Sequence, residues 1–133
     1  MRGYSVAIAA LALDIDPKWV DNLLSQNHVH GVNQSRQGVQ RRLAPGALYV
    51  IATVHRLNRT LQIPVATALK LAHELWRAPD SGLAGDAAVV AMDGIRLEVR
   101  REELRSLVDE AVVGALEIAP RTKRGRPPRR RIG

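Results

Sequence analysis

The sequence contains no cysteine, no phenylalanine and no long apolar run. The absence of cysteine excludes disulfides and thiolate metal sites, and it fits a reducing cytosol. Because the aromatic residues are only two tyrosines and two tryptophans, a core must be built mainly from Ala, Leu, Val and Ile. No apolar stretch approaches the roughly 20 residues that a membrane-spanning helix needs. Hydrophobic residues still make up 46% of the chain, which is enough for one compact domain with appendages.

Charge is distributed unevenly along the chain. The 133 residues carry 20 basic and 13 acidic side chains, for a net charge of +7. Residues 27–78 have a net charge of +6 and residues 120–133 one of +7, whereas residues 79–119 have a net charge of −5. Two basic blocks therefore flank an acidic one, and this pattern indicates separate roles for the three segments.

The first two predicted helices are short and closely connected. Ser5 is a good N-cap residue for a helix through VAIAALAL. The second helix, PKWVDNLLSQ, has a stronger start, because Asp16 can cap free N–H groups and Pro17 suits the first helical position. Apolar residues recur at helical spacing between residues 20 and 24, which leaves polar residues for the outer side. Two such helices with a tight connection predict a helix-turn-helix.

A basic hairpin is predicted directly after the second helix. The stretches HGV and GVQRRL can pair as strands around NQSRQG, because Asn, Ser and Gly favour turns. Arg36, Arg41 and Arg42 fall on or beside this hairpin. A basic hairpin that follows a helix-turn-helix is typical of the wing of a DNA-binding domain.

Two longer helices follow the hairpin. The third is predicted from Pro45 to about Thr60 and the fourth from Pro64 to about Arg77. Each begins at a proline, whose preset φ suits the first helical position, and each repeats apolar residues along one side. The next stretch, APDSGLAGD over residues 78–86, is rich in turn residues and predicts a linker.

A ββα unit is predicted beyond the linker. Asp93-Gly94 is a strong two-residue turn signal between apolar runs, and RREELRSLVDEAVVGALE repeats apolar residues at helical spacing. A two-stranded hairpin is marginally stable alone. This unit must therefore pack on the preceding helices, on a second copy of itself, or on another protein.

The order of these elements over residues 4–77 resembles the DNA-binding part of the MerR and excisionase-like winged helix-turn-helix superfamily. The stretches that match are YSVAIAALALDIDPKWVDNLLSQ, the wing GVNQSRQGVQRRL, and APGALYVIATVHRLNRTLQIPVATALKLAHEL. Tyr4, Ser5 and Val6 match the aromatic, hydroxyl and hydrophobic start common in the family. The chain departs from the family in having Ala44 where Ser, Thr or Asp is common, and in having no long coiled-coil helix directly after the fourth helix.

The resemblance implies a set of DNA contacts. The second helix would enter the major groove with Lys18, Trp19 and Asn22 nearest the DNA. Asn22 can read adenine, because its amide pairs with both N6 and N7. Trp19 has an alternative role, which is to pack under the wing. The three wing arginines would contact phosphate or the minor groove, or else form only a solvated basic hairpin.

The end of the chain, KRGRPPRRR, contains an AT-hook core that begins at Arg124. Gly125 lets the backbone lie against the floor of an A·T-rich minor groove, Arg126 extends along the groove with Arg124, and Pro127 stiffens the segment. The basic residues that flank this core are Lys123, Arg129, Arg130 and Arg131. The composition predicts a tail that is disordered when free. The alternative is a nonspecific basic tail, which would bind nucleic acid by counterion release.

No catalytic constellation is recognisable in the sequence. There is no phosphate loop and no nucleophile–base pair. His28 and His30 have the H-x-H spacing of a metal pair, but no nearby carboxylate or cysteine completes a site. We therefore expect no enzymatic activity, no metal and no cofactor.

The sequence predicts a mainly α protein with small β hairpins in three parts. Residues 1–78 would form a winged helix-turn-helix domain, residues 79–119 an acidic ββα segment for dimerisation or partner docking, and residues 120–133 the disordered basic tail. We expect a small cytoplasmic, nucleoid-associated transcriptional regulator that binds double-stranded DNA, with a homodimer as one possible assembly. The alternatives are an antitoxin that neutralises a toxin-like protein partner through residues 86–118, and an excisionase-like or DNA-architectural protein.

Overall fold

The computed structural model describes residues 3–33, 41–77 and 87–124, with the backbone alone for residue 92 and residues 119–124. Within these ranges the protein is mainly helical, with two small antiparallel sheets of two strands each, as the sequence predicts. The helices are α1 (Val6–Leu13), α2 (Pro17–Gln26), α3 (Pro45–Leu61), α4 (Val65–Arg77) and α5 (Arg101–Arg124). The strands are β1 (Val32–Asn33), β2 (Arg42–Leu43), β3 (Ala87–Met92) and β4 (Ile95–Arg100).

The first two helices begin where the capping residues predict. The Ser5 hydroxyl accepts a hydrogen bond of 3.1 Å from the Ile8 N–H, which caps α1. The Asp16 carboxylate accepts one of 2.9 Å from the Lys18 N–H, which caps α2. Caps of this kind contribute about 1 kcal/mol each. Only residues 14–16 separate the two helices, so their relative placement is restricted by a short connection.

Helix α3 lies at the centre of the core. Its buried residues run from Ala47 to Val54 almost without interruption, and the Ile51 side chain has no exposed surface. The core also contains buried residues of α1, α2 and α4, together with Leu104 and Val108 of α5. The ββα unit therefore packs on the preceding helices, which is the first of the three arrangements that the sequence leaves open.

Aromatic and polar contacts tie α5 to α3 and α4. The Tyr49 ring stacks on the Trp76 ring with centroids 5.0 Å apart, and the Trp76 indole N–H donates a hydrogen bond of 2.8 Å to the Thr53 hydroxyl. The Tyr49 hydroxyl in turn donates one of 2.8 Å to the Asp109 carboxylate of α5. The guanidinium of Arg105 lies 5.6 Å from the centre of the Trp76 ring. The acidic helix is thus held by contacts that are directional as well as apolar.

The second hairpin has the predicted turn. Asp93 and Gly94 both adopt a left-handed conformation, with φ of 47° and 81°, which a two-residue hairpin turn requires. The strands pair in register from the turn outwards, so Ala88 lies opposite Val99 on one face of the sheet. Ala88 is buried and Val99 partly buried, whereas Val89, on the other face, is exposed. One face of the hairpin therefore packs inwards.

Helix α5 departs from the sequence pattern in two respects. It continues to Arg124, although the apolar repeat ends near Glu117, so the boundary predicted at residue 120 lies within a helix. Lysine and arginine are favourable near a helix C-terminus, where carbonyl groups concentrate negative charge, but Pro120 within this stretch is unfavourable in a helix interior. Leu107, which shares the apolar repeat, is 53% exposed. It lies about 100° around the helix from Val108, away from the side that meets the core.

Candidate nucleic-acid interface

The outward side of α2 is polar and exposed. Lys18 and Asn22 lie one turn apart, and both are exposed to solvent, as are Asp21 and Ser25. The opposite side of the helix is held in the core by Val20, Leu23 and Leu24. The short apolar repeat therefore fixes which side of α2 is available to a partner, and this side carries two of the three predicted base-contacting residues.

Trp19 is partly buried and packs against α3. Its ring meets the His55 ring edge to face, with centroids 5.0 Å apart. It also belongs to the side chains that pack around the core. Trp19 therefore has a packing role in this structure, and the partner that the described residues show is His55 of α3.

The base of the first hairpin lies against α2. β1 and β2 pair through Val32 with Leu43 and through Asn33 with Arg42. The guanidinium of Arg41, the residue before β2, lies 3.6 Å from the Asp21 carboxylate. It also donates a hydrogen bond of 3.4 Å to the Ser25 hydroxyl, so α2 and this strand form one continuous surface.

The other predicted wing residues differ in their placement. Arg42 is exposed on β2, and Arg36 lies outside the described residues. The contacts of Arg41 with α2 are those of a partly exposed ion pair, which contributes at most about 1 kcal/mol. A phosphate group can therefore compete for this guanidinium at little cost.

Further cationic side chains lie on α3, and they are not among the site residues that the sequence predicts. Burial, followed by the positive charges of Arg59 and Arg56, lowers the pKa of His55, the residue that contacts Trp19. Both arginines are exposed. Arg59 lies one helical turn from His55 on α3, whereas Arg56 lines a groove with residues of β4 and α5. The cationic contact with α2 that the structure shows is that of Arg41. The only sequence signal for the two α3 arginines is the net charge of +6 over residues 27–78.

The predicted AT-hook lies mostly outside the described residues. Lys123 and Arg124 are in the last turn of α5, for which only the backbone is described. The remaining predicted tail contacts are outside the described ranges: Gly125, Arg126, Pro127, Arg129, Arg130 and Arg131. The start of the motif therefore lies at the end of α5, the helix that packs against α1 and α3.

The predicted histidine pair is joined by a third histidine. The backbone N–H of His30 donates a hydrogen bond of 3.2 Å to Nε2 of His73, which is on α4. Within the described part of the chain, no group of three or more His, Asp or Glu side chains is arranged to hold a metal ion. In the same ranges, no helix has the length and apolar character needed to cross a membrane.

Comparisons of the chain with protein-family models, with curated proteins and with solved structures give no match. The resemblance to the MerR and excisionase-like superfamily therefore rests on the residues of the chain itself. A functional proposal must accordingly be based on the geometry around α2.

Proposed function

We propose that the protein is a small DNA-binding transcriptional regulator whose α1, α2 and first hairpin act as a winged helix-turn-helix. One observation carries this proposal: the exposed polar side of α2 adjoins the base of a basic hairpin, where Arg41 contacts Asp21 and Ser25. The major groove of DNA accommodates an α-helix, and a phosphate backbone borders it on each side. Arg41 and Arg42 would meet one of these backbones.

The residues of α2 have distinct roles in this proposal. Asn22 pairs with the N6 and N7 positions of adenine, and Lys18 contacts a base edge or phosphate near the start of the helix. Trp19 holds α2 at its angle to α3 through His55. Arg41 exchanges the Asp21 carboxylate for a phosphate oxygen when DNA binds. The basic tail adds a tethered minor-groove contact, which raises the overall affinity because the second contact is intramolecular.

The test of base readout compares two amide residues on one helix. Asn22→Ala should reduce the preference for the DNA upstream of the gene over a scrambled duplex by about 1–3 kcal/mol, the value of one bidentate base contact. Gln26→Ala is the matched control, because Gln26 is an exposed amide at the end of the same helix. Fluorescence anisotropy at fixed salt measures both. An unchanged preference in Asn22→Ala would remove Asn22 from the readout, and equal affinity of the wild type for all duplexes would refute the proposed function.

The phosphate contacts are tested by salt dependence. Arg42→Gln should lower the slope of log affinity against log salt by roughly 0.9, the value for one lost phosphate contact. A chain that ends at Arg124 keeps α5 and removes most of the predicted tail. This chain should lose affinity for every duplex while it keeps its preference for the upstream DNA.

A second candidate function is inhibition of a basic protein partner, as in an antitoxin. The outer side of α5 carries several exposed carboxylates, and Val113 is one of the exposed apolar residues of this helix. The carboxylates are those of Glu102, Glu103, Glu110 and Glu117. A stable complex with the product of a neighbouring gene, lost in Val113→Glu but retained in Asn22→Ala, would favour this function. A complex that survives Val113→Glu would count against it.

A further inference from the structure

The loop between α2 and β1 is held at two successive residues by two different helices. The His30 N–H donates to Nε2 of His73 on α4, over a separation of 43 positions in the sequence. The Gly31 carbonyl accepts a hydrogen bond of 2.8 Å from the N–H of Ala44, at the start of α3. β1 begins at Val32, the next residue. These two bonds hold the β1 side of the hairpin base, whereas Leu43 of β2 is held by two backbone hydrogen bonds with Tyr4.

The loop is also held by close packing. Gly31 has a φ of 89°, in the region that favours glycine. A Cβ atom at Gly31 would lie 3.1 Å from the Ala47 nitrogen and 3.2 Å from the Ala47 Cβ. The backbone is pressed against the first turn of α3, so the loop has little freedom while the His30 bond is in place.

Three imidazole rings lie around that bond. The His30 ring meets the His73 ring with centroids 4.7 Å apart and the His28 ring with centroids 5.4 Å apart, both edge to face. His28 and His30 are exposed, whereas His73 is partly buried. The bond and the rings thus form one cluster at the base of the hairpin.

The bond depends on the protonation state of His73. Nε2 accepts a hydrogen bond only in the neutral imidazole with its proton on Nδ1, because both nitrogens of the imidazolium are donors. Protonation of His73 would place an Nε2–H against the His30 N–H and so remove the bond. It would also add a positive charge beside the His28 and His30 rings.

The surroundings favour neutral His73. Burial lowers the pKa of His73, and the positive charges of His30, His28 and Arg77 lower it further. The neighbouring residues of α3, Gly46 and Val50, carry no charge. Because the folded-state pKa lies below the ordinary value of 6.5, the bond is fully present above about pH 6.5 and is lost as pH falls through the lower folded value.

We propose that the His30–His73 hydrogen bond is a pH-sensitive latch at the base of the β1–β2 hairpin. Protonation of His73 releases the loop at residues 27–31 and loosens the strand pair next to Arg41 and Arg42. The latch itself stands on the contacts above. Its regulatory consequence, weaker discrimination between DNA sequences in acid, rests on the proposed function.

The latch is tested on the full chain without DNA. In proton–nitrogen correlation spectra, the His30 amide and the β1–β2 amides should shift together with the His73 imidazole, with a midpoint below 6.5. His73→Gln keeps a side-chain acceptor but does not titrate, so this pH dependence should be lost. His55→Gln is the matched control, because it removes another histidine of lowered pKa that contacts Trp19 and not the loop.

A second variant tests the direction of the electrostatic effect. His30→Ala keeps the backbone N–H and removes one positive charge next to His73, so the His73 midpoint should move up towards 6.5. Equal titration of the His30 amide in the wild type and in His73→Gln would overturn the latch. A His73 midpoint at or above 6.5 in the wild type would overturn it as well.

The regulatory consequence is measured as the ratio of the affinity for the upstream duplex to the affinity for the scrambled duplex. The ratio is measured at about pH 7.5 and at about pH 5.5, which lie on either side of the range in which histidine titrates. In the wild type the ratio should fall by roughly threefold to tenfold in acid, the factor that one lost hydrogen bond is worth. In His73→Gln it should stay constant. A wild type that prefers no duplex at either pH refutes the proposed function, and the spectra then decide the latch alone. A clear preference that does not change with pH refutes the regulatory role.

Discussion

The two halves of the described chain use similar apolar residues but bury them differently. In the body formed by α1 to α4 and the first hairpin, some side chains have almost no exposed surface. The largest of them are Leu43, Leu48, Ile51, Leu75, Val20 and Val54. The hairpin β3–β4 and α5 contribute fewer buried apolar residues, namely Ala88, Leu104, Val108, Val112 and Ala115. Leu104, Val108 and Val112 share a core with the body.

This difference indicates how the second half is stabilised. A two-stranded hairpin and one helix bury too little surface to fold alone. Contacts with α1, α3 and α4 supply what is missing, through apolar packing and through the Tyr49–Asp109 hydrogen bond. We infer that the acidic segment is an integral layer of the protein, even though its charge is opposite to that of the body.

The largest expected effect is a loss of stability in the body. Ile51→Ala should cost about 2–5 kcal/mol, because it leaves a cavity at a fully buried position. Leu61→Ala on the same helix is the control, since Leu61 is 56% exposed and should change stability by no more than about 0.5 kcal/mol. Urea denaturation followed by circular dichroism measures both. Similar costs would mean that α3 is not the centre of the core.

A smaller effect is expected in α5, where two leucines lie three positions apart. Leu104→Ala should cost about 2 kcal/mol, because Leu104 is 9% exposed and faces the core. Leu107→Ala should cost less than about 1 kcal/mol, because about half of the Leu107 side chain is already exposed to solvent. Hydrogen exchange should show faster opening of α5 and β3–β4 in Leu104→Ala than in Leu107→Ala. The opposite order would show that α5 meets the body through another side.

The smallest effect concerns a single titration at the junction of the two halves. Burial, the hydrogen bond to Asp109 and the charge of that carboxylate raise the pKa of Tyr49 to about 12. Asp109→Asn removes the negative charge, so Tyr49 should titrate at a lower pH but still above 10.0, since burial remains. The tyrosinate absorbance in a Tyr4→Phe background follows Tyr49 alone, with Glu110→Gln as the control. An unshifted titration would mean that α5 does not hold Tyr49 in solution.

Much of the local structure could be predicted, because its causes lie close together in the sequence. Ser5 and Asp16 cap helices that begin at the next residues, and Asp93-Gly94 forms a turn between strands on either side. The apolar repeat of α2 predicted which residues of that helix are buried. The end of α5 was not predicted, because the apolar repeat stops near Glu117 and Pro120, which has no backbone N–H, normally ends or kinks a helix.

The candidate site was predicted less completely. Lys18 and Asn22 are exposed on α2, as a helix with one apolar side requires. The ion pair of Arg41 with Asp21 and the ring contact of Trp19 with His55 join segments that are distant in the sequence. Spacing along a single chain carries no signal for such contacts.

The sequence by itself determined the helix starts, the turn at Asp93-Gly94, the polar side of α2 and the alternation of basic and acidic segments. These properties depend on capping, preset dihedral angles and periodicity, which act over a few residues. Only the tertiary structure decided that α5 packs on the body, that Arg41 meets α2, and that His73 meets His30. Such outcomes depend on which surfaces pack together, and packing brings into contact residues that no local rule relates.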